Sequence, residues 1–116
     1  MSIERLHIGP RMSQAVKHGN TVYLAGQVAK TATASVEVQT QEVLEKIDAL
    51  LAEAGSSKSK LLSVQVLLSN IADFAAMNSV YDAWIDPANP AGRACYEARL
   101  ADPNLRVEII AVAALD

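Results

Sequence analysis

The segment RVEIIAVAAL, residues 106–115, constrains the fold more than any other stretch of the chain. Apart from Arg106 and Glu108 it is apolar at every position, so neither face of a strand built from it can be left to water. Such a strand belongs in the middle of a sheet and needs cover on both sides. The chain's own helices can supply one cover. The other has to come from a second source.

The helices are legible from their period. Residues 36–54, VEVQTQEVLEKIDALLAEA, put Val43, Ile47, Leu50 and Ala54 on one stripe with Leu44 and Leu51 beside it, and Gly55 stands where the helix should stop. A second helix should begin with Asp73 as its N-cap, carry the stripe Phe74, Met77, Tyr81 and Trp84, and be ended by Asp86-Pro87. The N-terminal part reads as strands, with AVKHGNTVYLAGQV folding back at Gly19-Asn20, glycine first as a type II′ turn requires. LLSVQVLLS (61–69) alternates as a strand with Leu62, Val64, Val66 and Leu68 on one face. GRACYEARL (92–100) reads as another, with Arg93, Cys95, Glu97 and Arg99 on one face and Ala94, Tyr96, Ala98 and Leu100 on the other.

The order hairpin, helix, strand, helix, strand, strand predicts a single α+β domain over residues 1–116: a two-layer arrangement with both helices on one face of a mixed β-sheet. Aromatic residues make up only 4% of the chain, and Ala, Val and Leu dominate a 51% hydrophobic composition. A core of small side chains buries little area per residue, so burial between copies of the chain is the expected second cover.

Charge and composition narrow the function classes. A formal net charge of −3 and the absence of any basic run argue against nucleic acid as the main partner. No apolar run reaches the roughly 18 residues that span a bilayer. The N-terminus MSIERLHIGP is charged early and has no apolar core of a signal peptide, so a cytoplasmic location is expected. Cys95 is the only cysteine, and His7 and His18 are the only histidines. That excludes an intrachain disulfide and leaves too few ligands for a metal centre, so no metal and no cofactor are expected. Both histidines read as ordinary strand and turn residues.

Several of these blocks, taken together and in order, resemble the RidA (YjgF-type) family over almost the whole chain. They are AVKHGNTVYLAGQV, the run QTQEVLEKIDALLAEAGSSKSKLLSVQVLLSNIADFAAMNSVYDAW, GRACYEARL and VEIIAVAAL. The most distinctive parts are the GQ after the second strand, the DFAAMN entry to the second helix, and the arginine opening the next strand. The resemblance implies a chorismate-mutase-like fold that assembles as a homotrimer with ligand clefts between subunits. It also implies an imine or enamine deaminase, which hydrolyses reactive 2-imino and 2-enamino acids to 2-keto acids and ammonia without cofactor or metal.

Carried over residue by residue, Arg93 matches the arginine that grips the substrate carboxylate, Cys95 a cysteine lining the same cleft, and Gly26 a glycine whose backbone borders the ligand. Arg93 and Cys95 are thus the expected catalytic positions. Cys95 is expected to line the cleft rather than attack, since no histidine can be placed beside it to form a thiolate. Three further substrate-contacting positions depart from the family's active imine deaminases. These carry tyrosine at Met12, serine at Ala25, and, at Ile110, the glutamate that activates or positions the attacking water. The segment after Glu97 also looks one residue shorter. This is the pattern of less characterised branches that keep the arginine and lose the glutamate.

Imine hydrolysis requires a grip on the acid, a proton for nitrogen and a delivered water. Arg93 can supply the first as a bidentate guanidinium–carboxylate pair. A carboxylate could supply the others, whereas an isoleucine cannot, and losing such help costs about 10²–10⁴-fold. Glu97 lies roughly 13 Å along the strand from Arg93, too far for a three-carbon substrate. It is expected to form a surface ion pair with Arg99. The sequence therefore predicts a binder of small 2-keto or 2-imino carboxylates with imine or enamine deaminase activity, full or weak. The alternative is a non-enzymatic, sensor-like or chaperone-like member using the same pocket. Ribonuclease activity, a label borne by some relatives, fits neither the acidic charge nor the absence of a histidine pair.

Overall fold

A computed structural model describes residues 1–116. Strand β7 (Val107–Ala114) lies inside a mixed sheet built with β1 (Ile3–Ile8), β2 (Ser13–His18), β3 (Thr21–Leu24), β4 (Gln27–Val28), β5 (Leu61–Leu68) and β6 (Gly92–Glu97). The strand order is β1-β2-β3-β7-β5-β6, with β4 also paired to β7. Only β5 and β6 run parallel; every other pair is antiparallel. The helices α1 (Val36–Ala54) and α2 (Phe74–Trp84) pack on one face, giving the two-layer α+β architecture.

The apolar segment that fixes this arrangement is covered on one side only. Val107, Ile109, Ala111 and Ala113 point beneath the helices and are at most 1% exposed. Glu108, Ile110, Val112 and Ala114 alternate with them and stay half-exposed on the opposite face. Tyr23, in the neighbouring strand, is 49% exposed. The second cover anticipated from sequence is not supplied by the chain itself.

Helix α1 has the anticipated bounds, and its ends show why. The Ser35 hydroxyl accepts the Val38 N–H, satisfying a free donor of the first turn. At the other end Gly55 adopts φ 89°, while the N–H groups of Gly55 and Ser56 donate to the carbonyls of Ala52 and Leu51. That paired closure needs the left-handed residue that glycine supplies. Gly19, at φ 62°, likewise opens the two-residue turn between β2 and β3, closed by the His18–Thr21 pair, as a type II′ turn requires.

Four details differ from the sequence expectations. Leu62 is 53% exposed, because a bulge between Leu61 and Ser63 turns it out and Leu61 in. Asp73 flanks α2 but does not cap it, since its carboxylate accepts from Nη2 and Nε of Arg106 at 2.9 and 3.2 Å. Phe74 leaves the buried stripe, which consists of Met77 and Tyr81 with Trp84 half-buried. His7 is no ordinary strand residue: it is the only non-glycine with positive φ (52°), and its imidazole meets the Glu53 carboxylate on α1 at 2.8 Å.

Candidate functional site

The register of β5 and β6 decides where the expected site residues point. Val64, Val66 and Leu68 are buried beneath the helices and stand beside Arg93, Cys95 and Glu97 respectively. Neighbouring residues in register share a face, so these three side chains line the helical side of the edge strand β6. Ala94 and Tyr96 point to the open face, where the Tyr96 hydroxyl donates to Gln65 Oε1.

Arg93 is held by α2. Its Nη1 donates to Asn78 Oδ1 at 2.8 Å, and its Cζ lies 4.8 Å from the centroid of the Tyr81 ring. The hydrogen bond and the cation–π contact orient the guanidinium plane but use only one of its five donors. The residue is otherwise exposed, so a fork of N–H groups remains for a planar anion. Burial pushes the Tyr81 hydroxyl above its ordinary pKa, with the nearby Arg93 charge acting the other way.

Cys95 is half-buried against the core, two positions along the same face. Burial pushes its thiol up from the ordinary value, and the Arg93 charge opposes this less strongly. The thiol is therefore neutral near pH 7, a lining group and a poor nucleophile. Glu97 forms no ion pair with Arg99, which lies beyond the end of β6. Its carboxylate instead accepts the Ile71 N–H at 2.9 Å, tying down the turn that leads into α2.

A second cluster forms on the open face. Strand β4 pairs with β7 so that Val28 faces Glu108, and the Glu108 carboxylate packs directly over the backbone of Gly26. A Cβ at residue 26 would push the carboxylate aside, so the glycine is what lets Glu108 lie here. Ala25 is anchored beside it: its N–H donates to the Gln14 carbonyl, and its own carbonyl accepts from the buried Gln27. Ile110 lies two residues beyond Glu108 on the same half-exposed face, and Met12 is 52% exposed in the β1–β2 connection.

The structure thus brings Arg93 and Cys95 together, and separately brings Gly26 together with Glu108. It does not bring the two clusters together within one chain, because they occupy opposite sides of the sheet. Sequence reasoning missed Asn78, Tyr81 and Glu108. The first two were visible as a polar residue and an aromatic three positions apart on one helical flank. Glu108 was visible as the one carboxylate in an otherwise apolar strand, the kind of exception that calls for an explanation. No three His, Cys, Asp or Glu side chains cluster closely enough to share a metal ion. No helix is long and apolar enough to cross a membrane.

Comparison with known proteins gives one consistent result. The sequence model of the family described as Endoribonuclease L-PSP matches residues 3–115. A RutC family protein of Haemophilus influenzae is 43% identical over 114 residues, covering 97% of this chain and 98% of the relative. The crystal structure of an uncharacterized protein from Pseudomonas aeruginosa superposes with a TM-score of 0.96 at 43% identity, covering 99% of this chain and 100% of that one. A member of the YjgF protein family from Neisseria meningitidis superposes with a TM-score of 0.97 at 40% identity, over 100% and 97% of the two chains.

Proposed function

The chain belongs to the endoribonuclease L-PSP family, the group of the YjgF and RutC proteins, and from that premise we propose that it binds small 2-keto and 2-imino carboxylates through Arg93 and hydrolyses the imines. The observation that carries this reading is the state of Arg93: oriented by Asn78 and Tyr81, yet with most of its donors free. A guanidinium held in this way is preorganised for a carboxylate, which lowers the ordering cost of binding a small acid.

The carboxylate that the family resemblance led one to seek at Ile110 is assigned here to Glu108. It shares the half-exposed face of β7 with Ile110 and lies against Gly26, the glycine expected to border the ligand. In the proposed reaction Glu108 takes a proton from water as the water oxygen bonds to the imine carbon. The nitrogen, protonated in turn, leaves as ammonia when the carbon–nitrogen bond breaks. A carbonyl remains, so imine and water become 2-keto acid and ammonia. Cys95 lines the acid end of the cleft as a neutral thiol, and Met12, Ala25 and Ile110 complete its walls. Neither metal nor cofactor enters the scheme.

Since Arg93 and Glu108 lie on opposite sides of one sheet, the complete site is made between two copies, Arg93 from one and Glu108 with Gly26 from the next. The open face, with Tyr23, Ile110 and Val112, is the apolar surface on which copies assemble, as a homotrimer in this reading. RNA cleavage has no comparable support: the net charge is −3, His7 is engaged by Glu53, and His18 stands at the β2–β3 turn.

The test generates 2-iminopropanoate with an amino-acid oxidase, traps the surviving imine with semicarbazide, and compares wild type with Arg93→Ala. Suppressed trapping by the wild type alone is the expected result. If neither suppresses trapping while pyruvate still binds the wild type, hydrolysis is rejected and the non-enzymatic binder replaces it. The absence of tyrosine at Met12 is the observation that favours that second reading.

A further inference from the structure

The largest cavity of the chain, about 470 Å³, lies between α1 and strands β1, β2 and β4. Polar side chains from all four elements meet in it: His7, Gln14, Gln27, Lys46 and Glu53, beside the buried Leu50. A break in strand alternation puts them there. Leu6 stands opposite the sealed Ala15, so strict alternation would turn His7 and Gln14 to the open face. The left-handed backbone of His7 (φ 52°) breaks the pattern, a conformation that a non-glycine residue keeps only where its surroundings impose it. The imidazole meets Glu53 on α1, and Gln14 reaches Gln27, which stands opposite Ile109 on the sealed face.

The hydrogen bonds fix how both amides point. The Ala25 carbonyl can only accept, so the Gln27 atom 3.0 Å from it is Nε2. The other N–H of that nitrogen goes to Gln14 Oε1 at 2.9 Å. This leaves Gln27 Oε1 as a free acceptor and the Gln14 NH₂ as a free donor. Gln27 is only 6% exposed, and no sealed side-chain nitrogen or oxygen of the chain is without a partner. Its unpaired Oε1 therefore keeps its exposure, and keeps it in the cavity that Gln27 lines. Lys46 gives one N–H to the carbonyl of Val28, the residue after Gln27, and has two more to offer at the same end. Donors from Lys46 and Gln14 around one buried acceptor are the complement of a carboxylate with an ammonium group on the next carbon. Glu53 stands two turns along α1 from Lys46, about 10 Å on the axis, and its charge suits a second cation. We propose that this cavity binds a free α-amino acid with a basic side chain. Its carboxylate lies on Lys46 and Gln14, its α-ammonium on Gln27 Oε1, and its side-chain cation at Glu53. The site is separate from Arg93, which lies on the edge strand β6 at the other end of the sheet.

The experiment measures binding of L-lysine to the intact protein by calorimetry, with heteronuclear NMR of the glutamine side-chain amides. Each of three analogues lacks one group: L-norleucine the ε-ammonium, 6-aminohexanoate the α-ammonium, 1,5-diaminopentane the carboxylate. L-Lysine is expected to bind and to shift the amide signals of Gln14 and Gln27. Each analogue should bind about tenfold or more weakly, as the loss of a hydrogen bond involving a charged group implies. Lys46→Met and Glu53→Gln should weaken L-lysine to a similar extent, and Arg93→Ala should leave its affinity unchanged. If Lys46→Met does not fold, the analogue series and Glu53→Gln decide, since both keep the Lys46–Val28 contact. Absence of binding, or equal affinity for all four compounds, overturns the proposal. So does loss of binding in Arg93→Ala, which would mean that Arg93 had taken the carboxylate.

Discussion

The two faces of β7 carry opposite burdens. Val107, Ile109, Ala111 and Ala113 are sealed under the helices, and their task is finished once the chain has folded. Glu108, Ile110, Val112 and Ala114, interleaved with them, remain half-exposed and include the one charged side chain of the strand. The difference teaches that an apolar segment which looks uniform in sequence divides into a face sealed by folding and a face left open. The proposed chemistry falls on the second, where the Glu108 carboxylate stands at the edge of solvent and, in the proposed assembly, meets another copy.

The strongest way to break that comparison is to truncate one residue on each side. Ile109→Ala, on the sealed face, should cost about 2–5 kcal/mol in denaturant unfolding, the range for emptying a packed core position. Ile110→Ala should cost less than half as much, and should instead reduce the mass of the assembly measured by light scattering. Equal losses of stability would mean that the two faces are not distinct.

Next in size is the carboxylate. Glu108→Gln should lower imine turnover by about 10²-fold or more while leaving the unfolding midpoint nearly in place, since removing general-base help acts on rate. A loss of stability without a loss of rate would return Glu108 to a structural role. Gly26→Ala sharpens the same point. Its Cβ pushes aside the Glu108 carboxylate, the free end of a flexible side chain, so it should slow turnover while leaving the unfolding midpoint nearly in place. In a Glu108→Ala background Gly26→Ala should slow turnover no further, a coupling that a double-mutant cycle measures directly.

Smaller effects are expected on the other cluster. Asn78→Ala removes the contact that aims Arg93 and should raise KM several-fold, the equivalent of about 1 kcal/mol for one hydrogen bond. The smallest is chemical. With its pKa raised by burial, the Cys95 thiol should react with iodoacetamide at pH 8 more slowly than free cysteine, whose thiolate fraction is larger at that pH.

What could be read from sequence follows the same division. Where burial imposes a period, the reading succeeds: α1 is recovered to the residue, and the β2–β3 turn is recovered because only glycine takes φ 62° without strain. Where residues are exposed, the pattern carries no signal. The edge strand β1 has five of its six residues exposed, and it has no place in the element order drawn from periodicity. Leu62 fails for a different reason, since a bulge breaks the alternation that a linear reading assumes. The site was half legible. Arg93 and Cys95 share a face because strand alternation is local, but the closeness of Gly26 and Glu108 depends on the register of β4 against β7. No spacing along the chain reveals that register, and the search for a glutamate settled on position 110 instead.

The central claim, that each site joins Arg93 of one copy to Glu108 of another, is tested most directly by subunit mixing. Arg93→Ala and Glu108→Gln proteins, each inactive alone, are unfolded together in equal amounts, refolded and assayed for imine hydrolysis. Random mixing leaves about a quarter of head-to-tail interfaces with both wild-type groups, whatever the size of the ring. Recovery to about a quarter of wild-type turnover is the predicted result. A mixture no more active than its parents, with mixed assemblies verified by mass, would contradict the shared site.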